Sequence, residues 1–157
     1  ERLLDLYRGR VRRWSDGSRV VVLQRERGDS SHFAFAREID AFAKIDEQAR
    51  KQHRFRVLFS DRAMQDALVS TPGAVGFFDH GAIVSQRLPL KELAVAGKTP
   101  RREDLHSGRY PYFKDLAFVT GGEINGVVRR FLEFVFSPQG RRLILDNGYL
   151  PLEPQRP

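Results

Sequence analysis

The run Arg19-Val20-Val21-Val22-Leu23-Gln24 constrains this chain more than any other segment. Its apolar residues are contiguous instead of alternating, and three are β-branched, which predicts a strand covered on both faces. Such a strand must lie between layers of helices, and the rest of the sequence supplies them. A polar loop, residues 25–29, follows it. Phe33, Ile39, Phe42 and Ala43 then fall close to helical spacing and predict one helix from about Ser30 into the mid-forties. Phe55-Arg56-Val57-Leu58-Phe59 reads as a second strand, and Ser60 or Asp61 as the cap of a helix carrying Ala63, Met64, Ala67 and Leu68. Ala74-Val75-Gly76-Phe77-Phe78 reads as a third strand. Two more strands are expected at 88–95 and 116–120, with a loop-rich stretch over 97–112. A short helix stopped by Gly9 opens the chain. Near its end, Val127, Val128, Phe131, Leu132 and Val135 make one apolar helical stripe. Ser137-Pro138 then starts a last helix, which Asn147-Gly148 ends. Alternating strands and helices predict an α/β fold with a mainly parallel sheet flanked by helices.

Composition narrows the chemistry. There is no Cys, which excludes disulfides, Cys-ligated zinc, iron–sulfur clusters and thiol nucleophiles. The His residues show no metal-ligand spacing, so neither a metal nor a cofactor is expected. No apolar run approaches the roughly 18 residues of a membrane span. The net charge is +7, carried by 22 Arg and only five Lys. The densest cluster, Arg8, Arg10, Arg12 and Arg13 around Trp14, supports an alternative reading as an Arg-rich domain binding nucleic acid or polyphosphate. Most Arg residues have an acid nearby, however. The favoured expectation is a solvated Arg-rich surface with no nucleic-acid partner.

The loop after the first strand is the most informative stretch: Arg25-Glu26-Arg27-Gly28-Asp29-Ser30-Ser31-His32. A strand–loop–helix junction aims several backbone N–H groups at one spot, and the helix dipole adds about half a positive charge there. Gly28 lets the backbone approach a ligand closely, Ser30 and Ser31 offer hydroxyls, and Arg25 offers a planar fork for an oxyanion. The plainer reading makes Asp29 or Ser30 an ordinary helix cap and Arg25 and Arg27 surface residues. The loop is neither a Walker loop nor Gly-x-Gly-x-x-Gly. Gly28-Asp29-Ser30 also resembles the Gly-Asp-Ser start of a serine hydrolase family. That family needs a late Asp-x-x-His, and here the only one overlaps the motif itself, so an enzyme is not expected.

Taken in order, the motifs resemble those of the periplasmic phosphate-binding proteins of ABC transporters, which have a two-lobed, type II solute-binding fold. Leu6-Tyr7-Arg8-Gly9-Arg10 through Trp14-Ser15-Asp16-Gly17 is similar to that family's Phe-x-Gly-Lys…Trp segment. Arg25, Asp29-Ser30-Ser31 and Phe33 stand where the family has its strand-ending Arg, Ser-Gly-Thr and Phe. Pro72-Gly73-Ala74-Val75-Gly76-Phe77, Gly97-Lys98-Thr99-Pro100, Ser107-Gly108-Arg109-Tyr110-Pro111 and the stretches 131–140 and 148–152 resemble later family segments. The resemblance implies a binder and not a catalyst. It carries ligand-binding roles onto Arg25, Gly28, Asp29, Ser30 and Ser31: Arg25 the charged clamp, Ser31 a hydroxyl donor, and the N–H groups of Ser30 and Ser31 the helix-end donors. The ligand it implies is phosphate or a similar oxyanion. It also implies an ABC-transporter permease as partner, and a periplasmic or extracellular location.

One departure from the pattern matters. Asp29 stands where the family has Ser, and Ser30 where it has Gly. Asp29 either turns away as a cap, or accepts a hydrogen from a protonated oxyanion, or marks a different ligand. The resemblance also divides the chain. Residues 20–114 are expected to form the second lobe. Residues 1–19 and 115–157 are expected to pack on the first lobe, whose opening strands are absent here.

Overall fold

The computed structural model describes residues 1–122 and 124–152. Along the chain run α1 (Arg2–Tyr7), β1 (Val21–Arg25), α2 (Ser30–Glu38), α3 (Asp40–Lys51), β2 (Arg56–Leu58), α4 (Asp61–Ser70), β3 (Ala74–Val75), α5 (His80–Ser85), α6 (Arg102–His106), α7 (Gly126–Phe136) and α8 (Pro138–Asp146). The three strands form one parallel sheet in the order β2-β1-β3. The expected α/β class with a parallel sheet is what the chain adopts.

β1 is central and covered on both faces. Residues 22–25 are all buried, and their alternation sorts them between two layers. Val22 packs with Leu4, Leu6 and Tyr7 of α1, Phe35 of α2, and Phe42 and Ile45 of α3. Leu23 faces the opposite way, with Leu58, Met64 and Ala67 under α4. The next two residues repeat the division at the strand's carboxyl end: Gln24 meets Asp46 of α3, and Arg25 meets Asp61 of α4. β3 starts at a tight approach. Gly73 has φ +73°, and a Cβ there would sit 2.1 Å from the Arg19 carbonyl oxygen. The Trp14 indole N–H donates to the Gly73 carbonyl at 3.0 Å, so Trp14 serves packing at this junction.

Several expectations are corrected. The single helix after residue 30 is two helices, because Ile39 is extended (φ −131°, ψ 93°) and breaks the axis. Phe35 and Phe42, now on different helices, still enter one core. Phe33, counted on the inner stripe, is 69% exposed. Residues 88–95 and 116–120 form no strands. The former has only a Val95–Lys98 bridge, and in the latter Leu116, Phe118 and Val119 are exposed. A β-prone run forms a strand only beside a partner, and none is present there. The short helices α5 and α6 lie in stretches where no helix was expected.

Within this chain, the segment before residue 20 is packed against β1. Leu4, Leu6 and Tyr7 enter the same core as Val22, so α1 packs with the central unit. In the span 115–157, Glu123 and residues 153–157 lie outside the described residues. The rest ends in a hairpin of α7 and α8, with Ser137 ending the first helix and capping the second. Among the described residues of this hairpin only Val135 and Gly140 are buried. Val127, Phe131, Phe134 and Leu143 are exposed.

This contrast sets a stability test. Phe42→Ala empties a fully buried site and should cost about 3–5 kcal/mol, whereas Val127→Ala should fall within about 0.5 kcal/mol. Urea unfolding of both variants checks the difference.

Candidate anion site

The carboxyl end of β1 gathers the candidate residues. Arg25 is its last residue, with a side chain only 8% exposed. A buried guanidinium needs partners on every N–H edge. Glu26 meets it in a two-pronged pair, Nε to Oε2 and Nη2 to Oε1, both 2.9 Å. Nη1 donates to Asp61 Oδ1, and Nη2 lies 3.5 Å from Asp29 Oδ2. These contacts, led by Glu26, raise the Arg25 pKa above its ordinary value. The hydrogen bond from Arg25 outweighs partial desolvation at Glu26 and lowers its carboxyl to about 2.

Two helix N-termini flank this guanidinium. Asp29 is the N-cap of α2, its Oδ1 accepting from the N–H groups of Ser31 (3.0 Å) and His32 (3.3 Å). Ser60 caps α4, its hydroxyl accepting from the Ala63 N–H at 3.1 Å, and Asp61 follows in the first turn. Both positive helix ends thus face Arg25 with a carboxylate already between them.

The residues singled out from the sequence therefore divide. Arg25 and Asp29 meet directly. Gly28 has φ +87° in an exposed turn, and open space surrounds the position of a Cβ, so its visible role is the turn. Ser30 is exposed and Ser31 half-buried, and neither hydroxyl hydrogen-bonds another described residue. The Ser31 N–H is committed to Asp29, leaving Ser30 as the open donor of the two. Asp29 caps α2, as one of its open roles has it, but it does not turn away: its second oxygen faces Arg25.

Sequence reasoning did not single out Glu26, Asp46 or Arg50, and it read Asp61 only as a helix cap. Asp46 accepts from Gln24 Nε2 (2.7 Å), from His32 Nδ1 (3.0 Å) and from Arg50 Nε (3.0 Å). Burial pushes the Asp46 carboxyl up, but these hydrogen bonds and the neighbouring cations outweigh it and hold it below its ordinary value. The i, i+4 spacing of Asp46 and Arg50 was the one local signal. Elsewhere, Arg8 and Arg10 of the basic cluster are paired with acids at the start of the chain. Among the described residues no group of three or more His, Asp or Glu is placed to hold a metal ion. No described helix is long and apolar enough to cross a membrane.

No family model matches the chain. Its curated relatives include the phosphate-binding protein PstS 2 of Streptococcus agalactiae, 25% identical over 138 residues, which are 85% of this chain and 46% of the relative. The phosphate-binding protein PstS of Bacillus subtilis is 19% identical over 157 residues, 97% of this chain and 49% of the relative. The chain thus spans about half the length of the curated relatives it matches. Among solved structures, a phosphate ABC transporter substrate-binding protein with bound phosphate from Clostridium perfringens superposes with a TM-score of 0.68 at 15% identity. That match covers 97% of this chain and 61% of the other. An ABC-type phosphate transport receptor from Vibrio cholerae gives 0.56 at 16%, covering 96% and 62%. The fold is the type II solute-binding fold. The resemblance read from the motifs is the one these relatives bear.

Glu26 sets a pH test. Its folded pKa, about 2, lies below the ordinary 4.5. Any stability from the pair is therefore complete above about pH 4.5 and is lost as the pH falls towards 2. Solvent screening makes the effect small. Denaturant midpoints should fall less steeply over that window in Glu26→Gln than in the wild type; equal slopes would refute the pairing.

Proposed function

We propose that this chain binds phosphate or a related tetrahedral oxyanion. On this reading it is the anion-holding lobe of a substrate-binding protein that serves an ABC transporter in uptake or sensing. The observation that carries the reading is Arg25. A buried guanidinium stands at the carboxyl end of the central parallel strand, between the N-termini of α2 and α4. The crevice outside the carboxyl ends of such strands is where open α/β sheets take ligands. The relatives' names, quoted above, give the ligand class. They also support an exported protein with a permease as partner, and a binder in place of a catalyst. Arg25 is the clamp, Ser30 supplies its N–H and hydroxyl, Ser31 its hydroxyl, and Gly28 and Asp29 shape the loop.

Charge decides how an anion enters. Unit charges about 4 Å apart interact by about 4 kcal/mol at an effective dielectric near 20. One guanidinium cannot outweigh three fixed carboxylates against an incoming anion. With one carboxylate gone, the guanidinium and the two helix N-termini, each adding about half a positive charge, balance the other two. Asp29 is 8% exposed and held by two backbone N–H groups, whereas Asp61 is 82% exposed. Asp61 therefore swings out to admit the oxyanion.

The exposed apolar face of α7 and α8 supports the remainder of the reading. We assign residues 20–114, together with α1, to the anion-holding lobe. The hairpin within 115–157 belongs against the first lobe, which completes the cleft.

Calorimetric titration of full-length protein with inorganic phosphate between pH 5 and 8 tests the function. Saturable binding is expected. Arg25→Gln should weaken it at least tenfold, while Asp61→Asn and Asp29→Ser, the latter keeping a capping side chain, should strengthen it. Absence of binding by the wild type, or an Arg25→Gln variant that binds equally well, overturns the reading.

A further inference from the structure

Arg25 has a second set of partners, on its backbone. In a parallel ladder alternate residues bond to opposite neighbours. The Glu26 N–H donates to the Leu58 carbonyl of β2, so the Arg25 peptide groups face the β3 side. There β3 pairs only with Val21 and Val22, and no strand reaches Arg25. Two buried side chains stand in for it. The Arg25 N–H donates to His32 Nε2 at 3.4 Å, and Arg50 Nη1 donates to the Arg25 carbonyl. With Nε2 accepting, the His32 hydrogen sits on Nδ1 and goes to Asp46 Oδ1, and Arg50 Nη2, 3.3 Å from Nδ1, is then a neighbouring cation and not its hydrogen-bond donor. Asp46 Oδ2 accepts from Arg50 Nε, and Oδ1 also accepts from Gln24 Nε2. One carboxylate thus orients both groups that grip the Arg25 peptide. The His32 ring is fixed in turn by the edges and faces of Tyr7, Phe42 and Phe77, with centroids 5.9, 5.9 and 4.9 Å away.

We propose that His32, Arg50 and Asp46 are positioning residues for the anion site: they hold the Arg25 backbone, and with it the guanidinium, where a strand ladder no longer can. The proposal rests on the reading of Arg25 as the anion clamp. Only the guanidinium edge now held by Asp61 is open to a ligand, so a shift of a few tenths of an ångström at its root changes affinity.

Two substitutions separate positioning from packing. His32→Gln keeps an acceptor near the Nε2 position, whereas His32→Asn keeps a donor near Nδ1 and loses that acceptor. For folded protein, His32→Gln should bind inorganic phosphate within about threefold of the wild type, and His32→Asn about tenfold more weakly, a difference of about 1.4 kcal/mol. Hydrogen exchange of the Arg25 amide, read by NMR without phosphate, should follow the same order: protected in the wild type and His32→Gln, at least tenfold faster in His32→Asn. Should His32→Asn not fold, Arg50→Lys serves instead, since one ammonium cannot hold both Asp46 and the Arg25 carbonyl as the guanidinium does; it should weaken phosphate binding about tenfold and shift the 13C resonance of the Arg25 carbonyl, which Arg50 Nη1 contacts. A folded His32→Asn variant with unchanged phosphate affinity and unchanged Arg25 protection, or a folded Arg50→Lys variant with unchanged affinity and an unchanged Arg25 carbonyl resonance, overturns the proposal. A wild type that binds no phosphate overturns the reading of function instead, and Arg25 amide exchange alone then decides whether the grip exists.

Discussion

A cation withheld from water organises this protein. Removing a guanidinium from solvent costs several kcal/mol unless its hydrogen-bonding edges are met. Arg25 meets that cost with the forked contact to Glu26, with Asp61 and with Asp29. Each partner is tied to a further element. Asp29 starts α2, and Asp61 lies in the first turn of α4. The position of Arg25 itself follows from β1, whose alternation sends Val22 to one layer and Leu23 to the other. Both layers must therefore be built before the guanidinium has anywhere dry to sit. The hydrophobic core and the charged end of the strand form one construction.

Much of this was legible in the residues. The unalternating run at Val20–Leu23 required a strand between two layers, and the structure has one. Ser60 and Ser137 were readable as caps, because a hydroxyl placed just before a helix has one geometry that satisfies an orphan N–H, and both adopt it. The strand–loop–helix order at Arg25 and Asp29 likewise follows from local chemistry. The illegible parts depend on distant partners. Residues 116–120 have strand composition and no neighbour to pair with. The break at Ile39 depends on how α2 and α3 pack on the rest of the chain, which the helical spacing of Phe33, Ile39 and Phe42 does not carry. Within the site, Asp61 lies 36 residues from Arg25 and Arg50 lies 25 away, so only the closed fold brings them together.

The present state of the site also explains how one loop can carry both a carboxylate and an anion's binding groups. Asp29 spends one oxygen on two backbone N–H groups, which a cap must do, and turns the other to Arg25. It is structural, and a Ser in its place would serve the same N–H groups without the charge. Asp61 is different in kind. It touches the same guanidinium from a side chain that is almost wholly in water. Its carboxylate loses little on returning to water, and an arriving anion would take over the guanidinium edge it leaves. Meanwhile it keeps the Arg25 fork satisfied and aimed. On the reading proposed above, a site filled by its own carboxylate is already ordered when an anion comes, and binding would exchange one anion for another without rebuilding the strand end that holds the cation.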